Sequence, residues 1–378
     1  MSELDDYRDT IDELDKKITE LFEKRMDIVL KVGEYKKKNN LPVLDESREK
    51  QVIEKNLGYL KDKAYEEGAR KFFINIMEIA KGFEQEKTKY NCSECEKLRI
   101  NKSRNGVEIG YYGVSGSFTE EAMFKYFGNN KEAKAYDEFE NVFAAVKKDE
   151  IKYGVVPIEN SSTGAISDVY DLLYKYGFYI LGEVCIRINQ NLVGIKGTTL
   201  ETISEVYSHP QGFSQSTEFL KSYRDWELIP YHSTANSAKL VNELKDKRKA
   251  AIASKRVANI YDLEIIKENI NNQSENFTRF IVIGKELERN PKADKVSVVF
   301  SLDDEAGTLY KLLRHFAENN INMIKIESRP MKHGPWKYFL YVDFEGNLYS
   351  DEVTKALTLI KQNSPYFKML GAYETNIN

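Results

Sequence analysis

An uninterrupted helical period over residues 4–38 constrains this chain more than any other feature. Apolar side chains recur there at spacings of three and four residues, the period of an amphipathic helix: Leu4, Tyr7, Ile11, Leu14, Ile18 and Leu21. The pattern continues to about Lys38 and stops before Pro42, since proline disfavours helix in the residue ahead of it. A helix of about ten turns is too long to bury this stripe within a small monomer. A second copy of the chain would cover it, so we expect a homodimer or a higher homo-oligomer.

The rest of residues 1–87 also predicts an all-α domain, followed by a linker over residues 88–105. A second helix should begin near Asp45, a suitable N-cap, and a third should span about residues 65–87. The linker is polar and aperiodic, and it holds Cys92 and Cys95 in one CxxC pair. A zinc site needs two more ligands, so we interpret them as ordinary linker cysteines, with adventitious metal or redox chemistry as the alternative.

The composition excludes several classes of protein. Lys+Arg 56 against Asp+Glu 60 leaves a net charge of −4, with no basic stripe for a nucleic-acid backbone. The sequence has no apolar run of the ~20 residues that span a bilayer, no signal peptide, and only three cysteines, too few for a disulfide framework. Neither a metal-ligand cluster nor a Gly-rich dinucleotide loop is present in it. We therefore expect a cytoplasmic protein that uses no metal, organic cofactor, nucleic acid or membrane.

Two further regions follow the linker. In residues 106–286, β-rich runs such as KYGVVPI alternate with helical runs such as DVYDLLYKYG, which is typical of α/β domains with largely parallel sheets. Residues 295–378 instead follow a βαββαβ order, which predicts a ferredoxin-like α+β domain. The chain should thus contain three domains of different class.

Four residues of the first helix share one face. Arg25, Val29, Val32 and Lys36 follow each other at i, i+4, i+7 and i+11. Two long cationic side chains about 16 Å apart could converge on a small dianion between them. Solvated surface cations are the alternative interpretation.

The helical region resembles the all-helical chorismate mutases over nearly its whole length. The resemblance rests on these residues: Leu14-Asp15, Arg25, Val32-Gly33, Lys36, Pro42-Val43, Asp45 and Arg48-Glu49. In that family an intertwined dimer binds chorismate, which implies the following ligands here: Arg8 (contributed by the partner chain), Arg25, Lys36, Asp45, Arg48, Glu49 and Glu84. The rearrangement to prephenate needs positioning and preorganised cations rather than a covalent catalyst. Lys36 and Glu84 would flank the ether oxygen.

Two positions of the third helix depart from that family's pattern. Where the family often has Ser and Gln, this chain has Ala80 and Glu84. An ionised carboxylate only accepts hydrogen bonds, so Glu84 would assist only when it is protonated. The resemblance thus implies a mutase that slows as Glu84 ionises, and a degenerate mutase domain kept for dimerisation is the alternative.

Four predicted strand-to-helix junctions in the central region carry small, hydroxyl or amide residues: Gly113–Phe118, Glu159–Gly164, Ser208–Gln211 and Ser233–Asn236. The free N–H groups at such junctions bind anions in α/β proteins. Helix capping explains any one of them, whereas four together predict a carboxylate-binding cleft.

The central region resembles the prephenate dehydratases throughout. The runs VVPIENSSTGAI, YSHPQGFSQS, HSTANSA and NFTRFIVI are that family's signatures in the same order. The family fold is two α/β lobes like a periplasmic binding protein, with the site between them. The resemblance implies that Thr278 protonates or orients the leaving hydroxyl, and orientation is favoured because a threonine hydroxyl is a very weak acid. It also implies residues that bind or polarise prephenate: Glu159, Asn160, Ser161, Ser208, Gln215, Ser233, Thr234 and Arg279.

Two residues of this region have alternative interpretations. Arg279 could anchor a carboxylate of prephenate or serve as a structural ion-pair partner. His209 could act as an acid, because its side chain titrates near neutral pH, but scaffolding of its loop is the interpretation that we favour.

The C-terminal region resembles an ACT domain of the kind fused to prephenate dehydratases. Two runs carry the resemblance: Gly307-Thr308-Leu309-Tyr310 and Glu327-Ser328-Arg329-Pro330. Family members bind free phenylalanine there, between paired ACT domains, and this implies feedback inhibition. The helix start at Gly307 would receive the carboxylate, and Glu327 the ammonium unless it only pairs with Arg329. Thr308 stands where the family commonly has Ala, which affects affinity more than function.

Together, the resemblances imply a bifunctional enzyme of phenylalanine biosynthesis with a phenylalanine-sensing domain. Its small-molecule partners would be chorismate, prephenate and L-phenylalanine. An amino-acid sensor without turnover is the alternative from another class, and the Glu159-Asn160-Ser161 and Thr278-Arg279-Phe280 runs argue against it.

Overall fold

The computed structural model of the protein describes residues 2–39, 46–86, 109–129, 131–273, 275–288, 290–331 and 337–375. The chain divides into two compact units, residues 1–90 and residues 91–378. The helices are, in chain order, α1 Glu3–Lys38, α2 Glu46–Leu57, α3 Glu66–Glu86, α4 Phe118–Phe127, α5 Phe139–Lys147, α6 Ser167–Tyr176, α7 Pro210–Ser214, α8 Thr217–Leu220, α9 Thr234–Leu244, α10 Lys255–Ile260, α11 Thr308–Glu318 and α12 Asp351–Gln362, with a 3-10 turn at Lys63–Tyr65. No helix in the described part of the chain combines the length and apolar character that a membrane span requires.

All strands that the structure describes lie in the second unit. They are β1 Ile109–Tyr112, β2 Ala133–Tyr136, β3 Tyr153–Asn160, β4 Gly164–Ala165, β5 Tyr179–Arg187, β6 Asn191–Gly194, β7 Glu205–Ser208, β8 Glu227–Pro230, β9 Lys249–Ala253, β10 Glu264–Lys267, β11 Phe277–Gly284, β12 Lys295–Ser301, β13 Met323–Pro330, β14 Tyr338–Glu345 and β15 Phe367–Tyr373. These strands form three sheets.

The first unit confirms the three predicted helices, and α1 ends at the predicted residue. The predicted N-cap Asp45 lies outside the described residues. Helix α3 packs against α1 and α2 around a small core whose buried members are Met26, Leu57, Met77 and Ala80. The apolar stripe of α1, from Leu4 to Leu21, is not part of this core, because its side chains are 50–64% exposed.

The central region forms two lobes. The first lobe is the sheet β2-β1-β3-β11-β5 with β4 beside β3, and the second lobe is the sheet β10-β6-β9-β7-β8. The chain passes from β5 of the first lobe to β6 of the second, and it returns from β10 to β11. Both crossings therefore lie at the same edge of the cleft between the lobes.

The prediction of largely parallel sheets is wrong for half of each lobe. Strand β1 is parallel to β2 and β3, and β7 is parallel to β8 and β9. Strand β11 runs antiparallel between β3 and β5, and β6 runs antiparallel to β9 and β10. The reason is the chain path, since β11 enters the first sheet from the second lobe rather than through a crossover helix.

The C-terminal region has the predicted βαββαβ order, with the sheet β13-β14-β12-β15, which we call the C-terminal sheet. Helices α11 and α12 cover one face of it. The other face packs on the first lobe, where Val299, Tyr341 and Tyr373 share a core with Tyr170 and Leu173 of α6. Strands β12, β14 and β15 are thus largely buried on both faces, whereas the edge strand β13 is partly exposed. A continuous apolar core joins the sheet to the first lobe.

Candidate active sites

The end of β3 lies beside the start of the antiparallel strand β11 and brings Asn160 next to Thr278. The Nδ2 group of Asn160 donates a hydrogen bond to Thr278 Oγ1 at 2.9 Å, and both residues are buried. Because Thr278 Oγ1 accepts this bond, its own O–H can donate to another group. The pair can therefore present one oriented hydroxyl donor to a bound molecule.

Contacts on both sides hold the Asn160 amide in one orientation. Its Oδ1 accepts from the backbone N–H groups of Ser162 and Thr163 at 2.9 and 3.1 Å. Its Nδ2 also donates to Asn276 Oδ1 at 2.8 Å. Only the amide oxygen can accept from two N–H groups, so the NH₂ group must face Thr278.

A hydrogen bond joins the two lobes beside this pair. Gln211, in α7 of the second lobe, donates from Nε2 to Thr163 Oγ1 at 2.9 Å. The Thr163 hydroxyl in turn donates to Asn160 Oδ1 at 3.3 Å. A chain of three hydrogen bonds thus runs from the second lobe through Thr163 and Asn160 to Thr278.

A small amide-rich cavity of about 60 Å³ adjoins the same residues. It is lined by Ser162, Gln215, Asn271, Asn272, Gln273 and Asn276. Gln215 is buried, and its Oε1 accepts from Gln190 Nε2 at 3.2 Å. Amide groups can donate to carboxylates and accept from hydroxyls without adding charge. Within the described residues, no group of three or more His, Cys, Asp or Glu is placed to hold a metal ion.

Ser208 and His209 lie where β7 meets α7. Ser208 is fully buried, and among the described residues its Oγ has no hydrogen-bond partner. His209 caps α7, because its Nδ1 accepts from the backbone N–H of Gln211 at 3.2 Å. Burial lowers the pKa of His209, which favours the neutral ring that this contact requires. The structure therefore shows His209 as a scaffold for the loop that carries Gln211.

Two of the predicted prephenate ligands have structural contacts, and a third begins a helix. The Oγ of Ser161 accepts from the backbone N–H of Phe277 at 2.9 Å and ties β3 to β11. The Oγ of Ser233 accepts from Asn236 N at 3.0 Å and caps α9, of which Thr234 is the first residue. Helix capping, the ordinary explanation of such a junction, is what the structure shows for Ser233.

Glu159 and Arg279 do not face the Asn160–Thr278 pair. Successive strand residues point to opposite faces, and these two meet on the other side of the sheet, where Arg279 lies 3.0 Å from Glu159, 3.2 Å from Glu183 and 2.7 Å from Asp343. The predicted catalytic role of Glu159 and the predicted binding of prephenate by Arg279 are therefore not supported. Of the two interpretations of Arg279, the structure shows the ion pair.

This ion-pair cluster joins the first lobe to the C-terminal sheet. Glu183 also pairs with Lys295 at 2.9 Å, and Glu159 with Lys325 at 2.9 Å. Burial alone would raise the pKa of Asp343, but Arg279 and a hydrogen bond from Ser297 hold it below its ordinary value. Asp343 is thus held in its ionised form beside Arg279.

In the helical unit, Arg25 and Lys36 lie on the predicted face of α1. Arg25 Nη1 donates to Ile76 O of α3 at 3.3 Å, and burial lowers the pKa of Arg25. On α2, Arg48 is exposed and Glu49 is half-buried. Arg8 is exposed and lies 3.9 Å from Asp5, about 25 Å along α1 from Arg25.

Other predicted mutase residues are described only in part. The side chain of Glu84 and the whole of Asp45 lie outside the described residues. Ala80, one of the two departures from the family pattern, is buried in the core of the helical unit.

The two runs expected to bind phenylalanine lie at the start of α11 and on β13. Gly307 has φ +85° and no side-chain cap, Thr308 donates from Oγ1 to Glu305 O at 2.9 Å, and Leu309 is exposed. On β13, Arg329 donates to Ser167 Oγ at 2.7 Å and pairs with Asp171 at 3.3 Å. Arg329 therefore contacts α6, and these contacts do not involve Glu327, its alternative partner in the sequence analysis. The neighbouring Ser328 and Pro330 are exposed.

Sequence reasoning missed several residues of these clusters. Thr163, Gln211 and Asn276 stand inside the runs that carry the resemblance, so their positions were a signal that could have been used. Lys325 and Asp343 gave no such signal, because they meet Glu159 and Arg279 only through the packing of the C-terminal sheet on the first lobe.

Comparisons with known proteins agree with this arrangement. The family model for chorismate mutase type II matches residues 7–85, and the family model for prephenate dehydratase matches residues 109–288. A bifunctional chorismate mutase/prephenate dehydratase of Buchnera aphidicola is 33% identical over 378 residues, which cover 97% of this chain and 95% of that protein.

Two solved structures resemble a large part of this chain. The prephenate dehydratase of Arthrobacter aurescens in complex with L-Phe matches with a TM-score of 0.65 at 28% identity, over 71% of this chain and 90% of that one. The quorum-quenching acylase GqqA matches with a TM-score of 0.65 at 25% identity, over 71% and 98%. Similarity over 71% of the chain leaves the rest unmatched, whereas the Buchnera protein matches nearly end to end. The chain belongs to the family of bifunctional chorismate mutase/prephenate dehydratases.

Proposed function

We propose that this enzyme rearranges chorismate to prephenate in its helical unit and converts prephenate to phenylpyruvate between its two lobes, as successive steps of phenylalanine biosynthesis. The observation that carries the second step is the hydrogen bond from Asn160 to Thr278. The domain boundaries (1–87, 88–105, 106–286 and 295–378) and the cytoplasmic location stay predictions of the sequence.

In the dehydratase step, prephenate loses CO₂ and its ring hydroxyl, and the ring becomes aromatic. The C–C bond to the departing carboxylate breaks, and its electron pair moves into the ring. The hydroxyl leaves with the electrons of its C–O bond, so the leaving oxygen needs a hydrogen-bond donor. Thr278 supplies that donor, and the bond it accepts from Asn160 polarises its O–H further. Gln215 and the other amides of the adjoining cavity would hold the carboxylates of prephenate.

In the mutase step, the protein has to hold one conformer and stabilise negative charge that develops on the ether oxygen. Arg25 and Lys36 share a face of α1 that is suited to this work, and α2 carries Arg48 and Glu49. The proposed ligand Asp45 precedes α2 directly.

Glu84 gives the mutase step a testable pH dependence. Because only a protonated carboxyl donates a hydrogen bond, the mutase rate should fall as the pH rises and Glu84 ionises. Glu84→Gln should flatten the pH–rate curve, since its amide donates at every pH. If the substitution leaves the pH–rate curve unchanged, Glu84 is not part of the site. If the wild-type protein does not convert chorismate at either low or neutral pH, the degenerate-mutase alternative is favoured.

The exposed apolar stripe of α1 supports a dimer. Its side chains, from Leu4 to Leu21, are at least half exposed within one chain. A contiguous apolar surface of this length is stabilised by a partner. Since Arg8 lies about 25 Å from Arg25 on the same helix, we infer that it serves the site of the other chain.

We also infer feedback inhibition by L-phenylalanine at an ACT-like C-terminal domain. The supporting observations are the uncapped helix start at Gly307, the exposed Leu309 beside it, and Glu327 on β13, the next strand along the chain. The Arthrobacter relative was solved in complex with L-Phe. Inhibition requires that phenylalanine bind the less active state more tightly.

One incubation tests these assignments together. Purified protein is given chorismate alone, and prephenate and phenylpyruvate are followed with and without phenylalanine. We expect phenylpyruvate to form from chorismate and phenylalanine to suppress it. If chorismate is inert while added prephenate is consumed, the helical unit is a scaffold, and if neither reacts, the proposed function is wrong.

A further inference from the structure

A second cavity, of about 390 Å³, lies on the face of β11 opposite to Thr278. Glu159 and Arg279 of the first lobe and Lys325 of the C-terminal sheet line it. Its volume is in the range of sites for small molecules. The proposed chemistry uses none of these side chains, so the cavity is separate from the catalytic cleft.

Two cations on this cavity have unused donors. Arg279 Nε and Lys325 Nζ are buried, and neither has a hydrogen-bond acceptor within the described residues. Lys325 Nζ lies 2.9 Å from a Glu159 oxygen, so its charge is compensated although the contact lacks hydrogen-bond geometry. Buried N–H groups without an acceptor are unfavourable, and an oxygen ligand that accepts from them would relieve this cost.

The rest of the cavity wall has an apolar part beside the paired charges of Glu183, Lys295 and Asp343. Phe277 and Ile324 line it and are 39% and 47% exposed, and the half-buried Cys185 lies beside them. A molecule that matches both parts has a carboxylate at one end and an apolar group at the other.

We propose that this cavity binds a small carboxylate with an apolar side group. Two sources share that chemistry: a free apolar amino acid and the aryl 2-oxo acid that the dehydratase step would release. The occupant would contact Glu159 and Arg279, which directly neighbour Asn160 and Thr278 on the two strands that end at the catalytic pair. The inference does not depend on phenylalanine binding at Gly307.

Alkylation of Cys185 reports occupancy without measuring activity. Burial raises the pKa of the Cys185 thiol, so the full-length protein is treated with iodoacetamide at about pH 8.5, and the Cys185 peptide is quantified by mass spectrometry. The probes are L-phenylalanine, phenylpyruvate, and acetate, which lacks the apolar group. The variants are Lys325→Met and, as a matched control on the exposed strand β10, Lys267→Met.

We expect phenylalanine, phenylpyruvate or both to slow alkylation of Cys185, with no effect of acetate at equal concentration. The probe that protects identifies the source. Lys325→Met should raise the half-protecting concentration about tenfold or more, because a charge-assisted hydrogen bond is lost, and Lys267→Met should not change it.

Two results would overturn the proposal. One is that neither apolar carboxylate slows alkylation. The other is that protection persists unchanged in Lys325→Met, which would place the bound molecule elsewhere, such as at Gly307. If Lys325→Met fails to fold by circular dichroism, Ile324→Asp at the exposed rim must show the same loss, since its carboxylate would repel that of the probe.

Discussion

The Thr278 hydroxyl is the group on which the dehydratase reaction should depend most directly. Asn160 donates a hydrogen bond to the Thr278 oxygen, so the Thr278 O–H can donate to the leaving oxygen of prephenate. We expect Thr278→Val, which keeps the shape and removes the hydroxyl, to lower the dehydratase kcat about 10²–10³-fold. Thr278→Ser should remain within about tenfold of wild type. Prephenate consumption measures the effect, and an active Thr278→Val enzyme would contradict it.

His209 should make the stability of the second unit depend on pH. Its pKa is lowered by burial, so the unfolded chain takes up a proton at a higher pH, near 6.5, than the folded protein does. The stabilisation from neutral His209 is then complete above about pH 6.5 and is lost as the pH falls toward the lower, folded-state pKa.

The matched variants for this test are His209→Asn and His209→Ala. Asparagine can also cap α7 but does not titrate, so the melting temperature of His209→Asn should fall less than that of wild type between about pH 7 and 5.5. His209→Ala lacks the cap at every pH. Parallel melting curves for wild type and His209→Asn would mean that His209 does not contribute to this pH dependence.

A sequence motif shows which residues belong to a site region, but it does not show which of them face the site and which face the other side of the sheet. Thr278 and Asn160 were predicted through the resemblance, and the structure brings them together. Glu159 and Arg279 stand one residue away and point to the opposite face, into a cluster completed by Asp343. The sequence alone does not show that the C-terminal sheet supplies a carboxylate there.

At the scale of elements, the contact between the β3–β4 turn and α7 should control the geometry of the dehydratase site. Gln211 donates to the hydroxyl of Thr163, which in turn donates to Asn160. We expect Thr163→Val to lower the dehydratase kcat about tenfold with less change in KM, because the Thr163 hydroxyl bonds to Asn160 and so positions it. Thr163→Ser, which keeps the hydroxyl, should restore the rate.

A double-mutant cycle separates this positioning from a general loss of packing. If the two side chains act through one hydrogen bond, adding Gln211→Leu to the Thr163→Val variant should lower kcat little further. The two effects on kcat are then clearly less than additive. Additive effects, or a Thr163→Ser enzyme as slow as Thr163→Val, would show that the lobes are not coupled through this contact.

The elements themselves were predictable where the signal is local. The period of α1 gave both its ends, and buried runs such as that of β3 were identified as strands. The direction of β11 was not predictable, because it depends on the return of the chain from the second lobe. Short, exposed strands such as β8 lack the apolar pattern that marks a strand.

For the whole molecule, the proposed dimer makes a prediction that a monomer cannot imitate. If Arg8 of each chain serves the other chain's mutase site, Arg8→Ala and Lys36→Ala should each abolish mutase activity in a homodimer. In a mixed dimer, one site carries both substitutions and the other carries neither. Random assortment makes about half of the dimers mixed, so the mixture should recover about a quarter of wild-type mutase activity.

The experiment co-expresses the two variants with different affinity tags and measures mutase turnover of the doubly purified mixed dimer. That species should reach about half of the wild-type rate per dimer, since one of its two sites is intact. Dehydratase turnover of the same sample normalises for folded protein, because neither substitution lies in the second unit. If Arg8 acts within its own chain, each mixed dimer has two singly substituted sites, and the activity stays at the level of the parent variants. Recovery of activity would therefore show that the chain dimerises through its helical unit and that Arg8 of α1 contributes to the mutase site of the other chain.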